Sequence, residues 1–143
     1  MMYRYFLVPI LVVFCAGCGP KVTQVSGRVL LDGKGLENMS VLFQPVGKHR
    51  ESAFGMTDSE GRFVLKRIFS NKNGLEPGEY YVFIAWQDST PRSEFDANPP
   101  AVCPYPIPVG AGNGSIVRLV DAQGTQTLDF ELTDLKDSVT ETK

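Results

Sequence analysis

The ten residues 77–86 constrain the fold of this chain more than any other stretch. They read Pro-Gly-Glu-Tyr-Tyr-Val-Phe-Ile-Ala-Trp, so a turn signal starts a run in which nearly every side chain is large and apolar. Side chains of an extended strand alternate between two faces. One face then carries Tyr80, Val82, Ile84 and Trp86, and the other carries Tyr81, Phe83 and Ala85. Because neither face is clearly polar, we interpret this stretch as the central strand of a β-sandwich, covered by the other strands.

Length and composition favour one domain made of many short strands. The chain has 143 residues and a formal net charge of −2, and a chain of this size buries about two thirds of its unfolded surface without a metal or disulfide. Its 14 glycines and 10 prolines recur between short apolar runs, as turns between strands do. No basic cluster is present beyond Lys66-Arg67, so the sequence offers no footprint for nucleic acid.

Alternating apolar residues predict seven strands and no convincing helix. The predicted strands are 22–31, 39–45, 52–57, 62–66, 79–87, 115–121 and 126–132. Residues 88–114 are rich in Pro, Gly and Asn and lack periodicity, which predicts a long loop that is either functional or partly disordered. Seven short strands that must hide both faces of the central strand predict an antiparallel sandwich.

The N-terminus has the layout of a secretory signal peptide. Arg4 precedes an apolar run over residues 6–14, followed by small residues, and the run is shorter than the 20 or so residues that span a bilayer. The stretch 15–18, Cys-Ala-Gly-Cys, resembles the bacterial lipobox, in which the last Cys is acylated and becomes the mature N-terminus. This resemblance implies lipidation at Cys18 (palmitate among the acyl chains); the alternative is an ordinary signal peptide with an incidental cysteine.

The lipobox divides the chain and predicts its location. The expected parts are a signal peptide (1–17), the lipidated Cys and a short linker (18–21), a sandwich (22–133) and a polar tail (134–143). Gly19 is not the Asp that tends to keep such lipoproteins at the inner membrane. We therefore expect a lipid-anchored protein of the cell envelope, on the periplasmic face of the outer membrane or at the cell surface, and close to that membrane because the linker is short.

Four motifs in sequence resemble the carboxypeptidase regulatory-like (transthyretin-like) domain. They are Val-Ser-Gly-Arg-Val at 25–29 with Leu-Asp-Gly-Lys-Gly-Leu at 31–36, Met-Ser-Val-Leu-Phe-Gln-Pro at 39–45, Thr-Asp-Ser-Glu-Gly-Arg-Phe-Val-Leu at 57–65, and Pro-Gly-Glu-Tyr-Tyr-Val at 77–82. With the lipobox, the chain is similar to small lipoproteins of planctomycete-type bacteria. The resemblance implies a seven-stranded, antiparallel Greek-key sandwich of the transthyretin (prealbumin) type that is not an enzyme.

The residues themselves supply no catalytic, cofactor or metal signature. His49 is the single histidine, and a zinc site normally draws on several His or Cys ligands. Asp58 and Glu60 have two interpretations: calcium ligands, or parts of a tight turn that ends at Gly61. We expect the turn, no metal and no cofactor.

Tyr81 and Phe83 form the one candidate ligand platform. If their strand neighbours face the core, as the resemblance implies, these two rings point outward, where they can stack on sugars or receive a partner. The alternative is that Phe95, Val102, Tyr105 and Ile107 of the long loop cover that face, since exposed aromatic patches are a liability.

These observations predict a membrane-anchored, non-catalytic structural or interaction domain. Its partner would be an envelope protein or a polysaccharide, and the alternative function is a carbohydrate-binding module displayed at the cell surface. Cys103 has no internal partner once Cys18 is lipidated, which leaves a plain thiol or an intermolecular disulfide.

Overall fold

The chain folds into two β-sheets packed face to face. A computed structural model describes residues 21–89 and 99–135. The strands are β1 (Gln24–Leu31), β2 (Lys34–Gly35), β3 (Met39–Pro45), β4 (Ala53–Met56), β5 (Arg62–Val64), β6 (Lys66–Arg67), β7 (Gly78–Trp86), β8 (Ile116–Val120), β9 (Thr125–Thr127) and β10 (Phe130–Glu131). A single helical turn, α1 (Val109–Gly112), precedes β8, and a 3-10 turn (Leu132–Asp134) follows β10. The all-β sandwich predicted from the sequence is confirmed.

The second sheet, in the order β6-β4-β3-β7-β8, contains the aromatic strand. β7 is antiparallel to β3 along its whole length, and it pairs with β8 only from Gly78 to Val82. Its inward side chains, Tyr80, Val82 and Ile84, are fully buried as predicted. The expectation of two covered faces is wrong in part, because Tyr81 on the opposite face keeps 40% of its surface exposed.

The first sheet is built around β1 and contains parallel pairs. On one side β1 is antiparallel to β2 and β5, and on the other it is parallel to β9 and β10. The prediction of a wholly antiparallel sandwich is therefore wrong for β9 and β10. Since β8 belongs to the second sheet, the chain crosses between sheets at residues 121–124 and returns along β1 in the same direction.

Two strand breaks and the additional two-residue strand β2 explain why ten segments replace the seven continuous strands predicted. Leu65 interrupts the fourth predicted strand, and Leu128 and Asp129 interrupt the seventh. The amides of Leu65 and Leu128 still bond to β1, at the carbonyls of Val25 and Ser26. The break at Leu65 is where the chain passes from β5 in the first sheet to β6 in the second, and the break at Leu128 and Asp129 is a local departure from strand geometry beside β1.

Four aromatic rings join the two sheets at the centre of the core. Phe43 and Tyr80 come from the second sheet, and Phe63 and Phe130 come from the first. Phe130 lies 6.3 Å from Phe43 and 6.1 Å from Phe63, measured between ring centroids. Aromatic pairs at such separations contribute roughly 0.5–1.5 kcal/mol each beyond the area they bury. This cluster fixes the two sheets relative to each other.

Residues 99–114 seal one edge of the second sheet. Beyond Val82 the edge of β7 has no β8 partner, and α1 packs there with Ala111 fully buried. The one-turn helix was not predicted, because four residues of Val, Gly and Ala carry no helical periodicity. In the described part of the chain no helix has the length and hydropathy needed to cross a bilayer.

Candidate functional site

The side of the second sheet that points away from the first is predominantly apolar; we call it the outer face. Leu42 of β3 lies between Phe54 of β4 and Phe83 of β7. One row further along, Tyr81 is paired with Val117 of β8. Directly paired residues point to the same side of a sheet, so these side chains form rows across four strands. The large apolar residues of the outer face are Leu42, Phe54, Met56, Tyr81, Phe83, Val117 and Leu119.

Much of this apolar surface is open to solvent. Tyr81 is 40% exposed and Leu119 is 55% exposed, while Leu42 and Phe83 are half-buried. Contiguous exposed apolar patches on a soluble domain mark interaction sites more often than isolated exposed residues do. The outer face is therefore the strongest candidate for a functional surface among the described residues.

The two predicted platform residues, Tyr81 and Phe83, are two positions apart on β7, and their rings differ in solvent accessibility. Tyr81 projects between Gln44 and Val117 on the neighbouring strands. The ring of Phe83 is partly covered by the backbone of Gly114, where an added Cβ would lie 2.9 Å from two ring atoms. Of the pair, Tyr81 alone presents a freely accessible ring, so two rings do not form one open stacking surface.

The long loop does not cover the outer face in the predicted way. Val102 is 87% exposed, and Tyr105 and Ile107 pack against the core between the sheets. Phe95 lies outside the described residues. The part that reaches the outer face is Gly114, which alternation of apolar residues does not single out because glycine has no side chain.

A pocket of about 460 Å3 extends the outer face beyond β4. Its walls include Phe54, Met56, Val64 and Ile68, and Lys66 and Arg67 supply cationic groups. The Nε of Arg67 is buried and has no hydrogen-bond partner. Apolar walls beside cationic side chains suit a ligand with an apolar part and an anionic group.

The predicted turn at Asp58 is present. One carboxylate oxygen of Asp58 accepts hydrogen bonds from the amides of Glu60 and Arg62, both at 2.9 Å, and the other lies 3.0 Å from Nε of Arg62. The hydrogen bond from the Arg62 amide is the largest influence and lowers the pKa of Asp58. Gly61 has a φ of +76°, the left-handed conformation that the turn interpretation requires. Both carboxylate oxygens of Asp58 thus accept hydrogen bonds within the turn, as the turn interpretation expects.

The remaining predicted residues are distributed over the molecule. His49 lies exposed in the β3–β4 loop. The Cys103 thiol is free and half-buried, and its Sγ lies 3.4 Å from the carbonyl oxygen of Tyr105. Residues 21–89 and 99–135 contain no group of three or more His, Cys, Asp or Glu placed to hold a metal ion. The predicted signal peptide, the predicted lipidation site Cys18 and the tail beyond residue 135 lie outside the described residues.

Sequence reasoning missed most of the outer face. Phe54, Met56, Val117 and Leu119 occur at alternate positions of their strands, so their outward direction follows from the alternation once the inward residues are known. What the alternation lacks is the strand order that places them beside Tyr81. Comparison with protein-family models, curated proteins and solved structures finds no match to this chain.

Proposed function

We propose that this chain is a lipid-anchored protein of the cell envelope whose β-sandwich is a non-catalytic structural or interaction domain. The anchor in this proposal is an acyl group on Cys18. The sandwich takes the Greek-key arrangement of the carboxypeptidase regulatory-like domains that its motifs resemble. The outer face, centred on Tyr81, is the surface that contacts a partner in the envelope.

The apolar character of the outer face is the observation that carries the binding role. Four strands contribute seven large apolar side chains to it, and Ser40, Gln44, Lys66 and Glu79 are the polar residues among them. The hydroxyl of Ser40, on the same side of β3, already donates to the carbonyl of Ala85 at 3.0 Å. A surface on which large apolar side chains outnumber polar ones fits an apolar protein surface better than a sugar, whose hydroxyl groups need polar partners.

Carbohydrate binding is the second candidate, because the exposed ring of Tyr81 is suited to stacking on a sugar. The neighbouring side chain of Gln44 is exposed and offers an amide within the same row. In this version Tyr81 carries the interaction, and the aliphatic residues of β8 contribute little.

The two candidates are distinguished by substitutions on the outer face. We expect Tyr81→Ser and Leu119→Ser each to lower the binding of an apolar fluorescent dye several-fold, whereas Val102→Ser, at a more exposed apolar residue outside this face, leaves it unchanged. If insoluble cell-wall polysaccharide instead retains the wild type and loses only Tyr81→Ser, the carbohydrate function replaces the first. Equal dye binding by all four proteins would contradict the binding role of the outer face.

The anchor has a separate test. In bacteria that make this protein, radioactive palmitate should label the wild type and Cys103→Ser but not Cys18→Ser. An unlabelled wild type would contradict the anchor and leave the proposal for the outer face standing.

A further inference from the structure

The end of the sandwich at which β1 begins is where residues 1–20 join the domain; we call it the amino end. Thr23 pairs with Leu75 in both directions at 2.8 Å, and its hydroxyl donates to the carbonyl of Asp121. Val22 packs beside Gly74. The turn at residues 121–124 and residues 74–75 thus meet the first residues of β1, and the turns around residues 46–52 and 68–73, joined by the bond from the Ile68 amide to the Ser52 carbonyl, lie at the same end.

An exposed phenylalanine lies at the tip of one of these turns. Phe69 is 88% exposed, and its turn is held firmly by the carboxylate of Glu51. One oxygen of Glu51 accepts from the amides of Phe69 at 2.5 Å and Ser70 at 2.6 Å, and the other accepts from the Ser70 hydroxyl at 2.9 Å. The backbone that carries the exposed ring is thus held by a hydrogen-bonded turn. A single exposed phenylalanine would need no explanation, but this one has two relevant neighbours.

The first neighbour is the pocket beside β4. The residue before Phe69, Ile68, forms part of its wall, and so do Lys66 and Arg67. The buried Nε of Arg67 is the donor without a partner described above. Apolar walls, cationic groups and the exposed ring of Phe69 thus occur together on one turn of the chain.

The second feature near Phe69 is an excess of positive charge, because charge is unevenly distributed between the two ends of the sandwich. The amino end carries Lys21, Lys48, Arg50, Lys66, Arg67 and Lys72, with the carboxylates Glu51, Glu76, Glu79 and Asp121. The opposite end carries the carboxylates Asp32, Glu37, Asp58, Glu60, Asp88, Glu131 and Asp134, with the cations Lys34 and Arg62. Arg62 is paired with Asp58 at 3.0 Å and with Glu60 at 2.6 Å. The domain is therefore positive where residue 20 enters and negative at the other end.

We propose that the amino end docks on an anionic lipid surface, with Phe69 inserted among the headgroups and the exposed side chains of Lys21, Lys48, Lys66 and Lys72 against the lipid phosphates. Membrane-surface binding combines buried apolar area with attraction between cations and anionic lipids, and the amino end supplies both. This inference deepens the proposed function and rests on its anchor, since Cys18 stands three residues before Lys21, about 10 Å of extended chain.

The test places an environment-sensitive dye at the turn and at a matched position elsewhere. In the lipidated full chain with Cys103→Ser, the dye is attached to the thiol of Phe69→Cys or of Val102→Cys, two sites of equal exposure. The proteins are reconstituted in phosphatidylcholine vesicles with and without phosphatidylglycerol. We expect a blue-shifted emission and quenching by a lipid-borne quencher at position 69 in the anionic vesicles, reversed by high salt, and neither change at position 102. Equal behaviour at both positions, or no dependence on phosphatidylglycerol, would overturn the inference.

Charge substitutions provide the second measurement. The single substitutions Lys66→Gln and Lys72→Gln should each lower the inserted fraction of the dye at position 69 by roughly fivefold where insertion is incomplete. This is the effect expected for the loss of one cation at an anionic surface. Lys34→Gln, at the opposite end, is the control and should have no effect. If palmitate labelling shows that the wild type has no anchor, the same dye experiment with protein added from solution still decides whether the amino end binds lipid.

Discussion

At the scale of single residues, the side chain of Thr57 holds the connection between β2 of the first sheet and β3 of the second. It is buried just after β4, where its hydroxyl donates to the carbonyl of Leu36 at 2.6 Å and accepts from the amide of Met39 at 2.8 Å. Leu36 and Met39 bracket the connection from the first sheet to the second. One hydroxyl therefore satisfies two backbone groups that the connection would otherwise leave buried and unpaired.

We predict that Thr57→Val lowers the free energy of unfolding by about 3 kcal/mol, because a side chain of the same shape leaves both backbone groups without a partner. Thr57→Ser keeps the hydroxyl and should cost only about 1 kcal/mol for the lost methyl group. Urea denaturation of the three proteins measures the difference. Equal losses for the two variants would show that the hydroxyl is not what matters.

Sequence reasoning reached the turn at Asp58 but not the role of Thr57, and the difference is physical. The bonds of Asp58 go to amides two and four residues along the chain, so a local pattern contains them. The bonds of Thr57 reach 18 and 21 residues back, and they exist only because β3 and β4 are paired. A local pattern predicts that a strand ends at Thr57, but it does not predict which residues the Thr57 hydroxyl bonds to.

At the scale of elements, the close approach of residues 128–129 to β1 explains the glycine in the middle of that strand. A Cβ on Gly27 would collide with the backbone carbonyl of Leu128 and would also lie 3.1 Å from the ring of Phe63. Glycine in a strand interior often marks such a close contact with another backbone. The break between β9 and β10 thus packs directly over β1.

We predict that Gly27→Ala destabilises the domain by about 3 kcal/mol or prevents folding, since backbone on one side and a buried ring on the other leave the methyl no space. Gly112→Ala is the matched control. Its Cβ would meet nothing closer than 3.6 Å, and it ends a helical turn in which alanine is favourable. Thermal unfolding of both variants checks the prediction, and a tolerated Gly27→Ala would argue against the described packing of residue 128.

The elements themselves were predictable to the extent that they alternate. Each of the seven predicted strands overlaps an observed strand, and β7 lies within one residue of its predicted bounds. The parallel pairing of β9 and β10 with β1 was not predictable, because alternation gives the faces of a strand and not its direction relative to a neighbour. For the same reason the outer face was known as two residues of β7 and not as a surface of four strands.

At the scale of the whole molecule, carboxylates fix turns at both ends of the sandwich. Hydrogen bonds, from the Ser70 amide above all, lower the pKa of Glu51. For Glu131, desolvation alone would raise the pKa, but hydrogen bonds from Thr133 and the amides of Asp32 and Gly33 outweigh it and lower the pKa. Hydrogen bonds lower the pKa of Asp58 in the same way. Each carboxylate is ionised while it accepts bonds from two or more donors.

We predict that the domain loses stability in acid. These pKa values are lower in the folded state than in the unfolded state, so as the pH falls through about 4 the unfolded chain binds protons first and gains stability relative to the fold. The stabilisation is complete above about pH 5 and disappears as the pH falls through the folded-state pKa values. Urea midpoints measured from neutral to acid pH test this, and the combination Glu51→Gln, Asp58→Asn and Glu131→Gln should flatten the dependence. A midpoint that holds or rises in acid would contradict it.

The side chain of Gln126 affects whether another chain can pair with the edge of the second sheet. Its amide nitrogen donates to the carbonyl of Leu119 and its amide oxygen accepts from the amide of Asp121, both at 2.9 Å, so one side chain from β9 occupies the rim of β8 where a further strand would attach. Rims left unoccupied are templates on which other polypeptides can polymerise. Gln126 thus protects this edge of β8 against pairing with a strand of another chain.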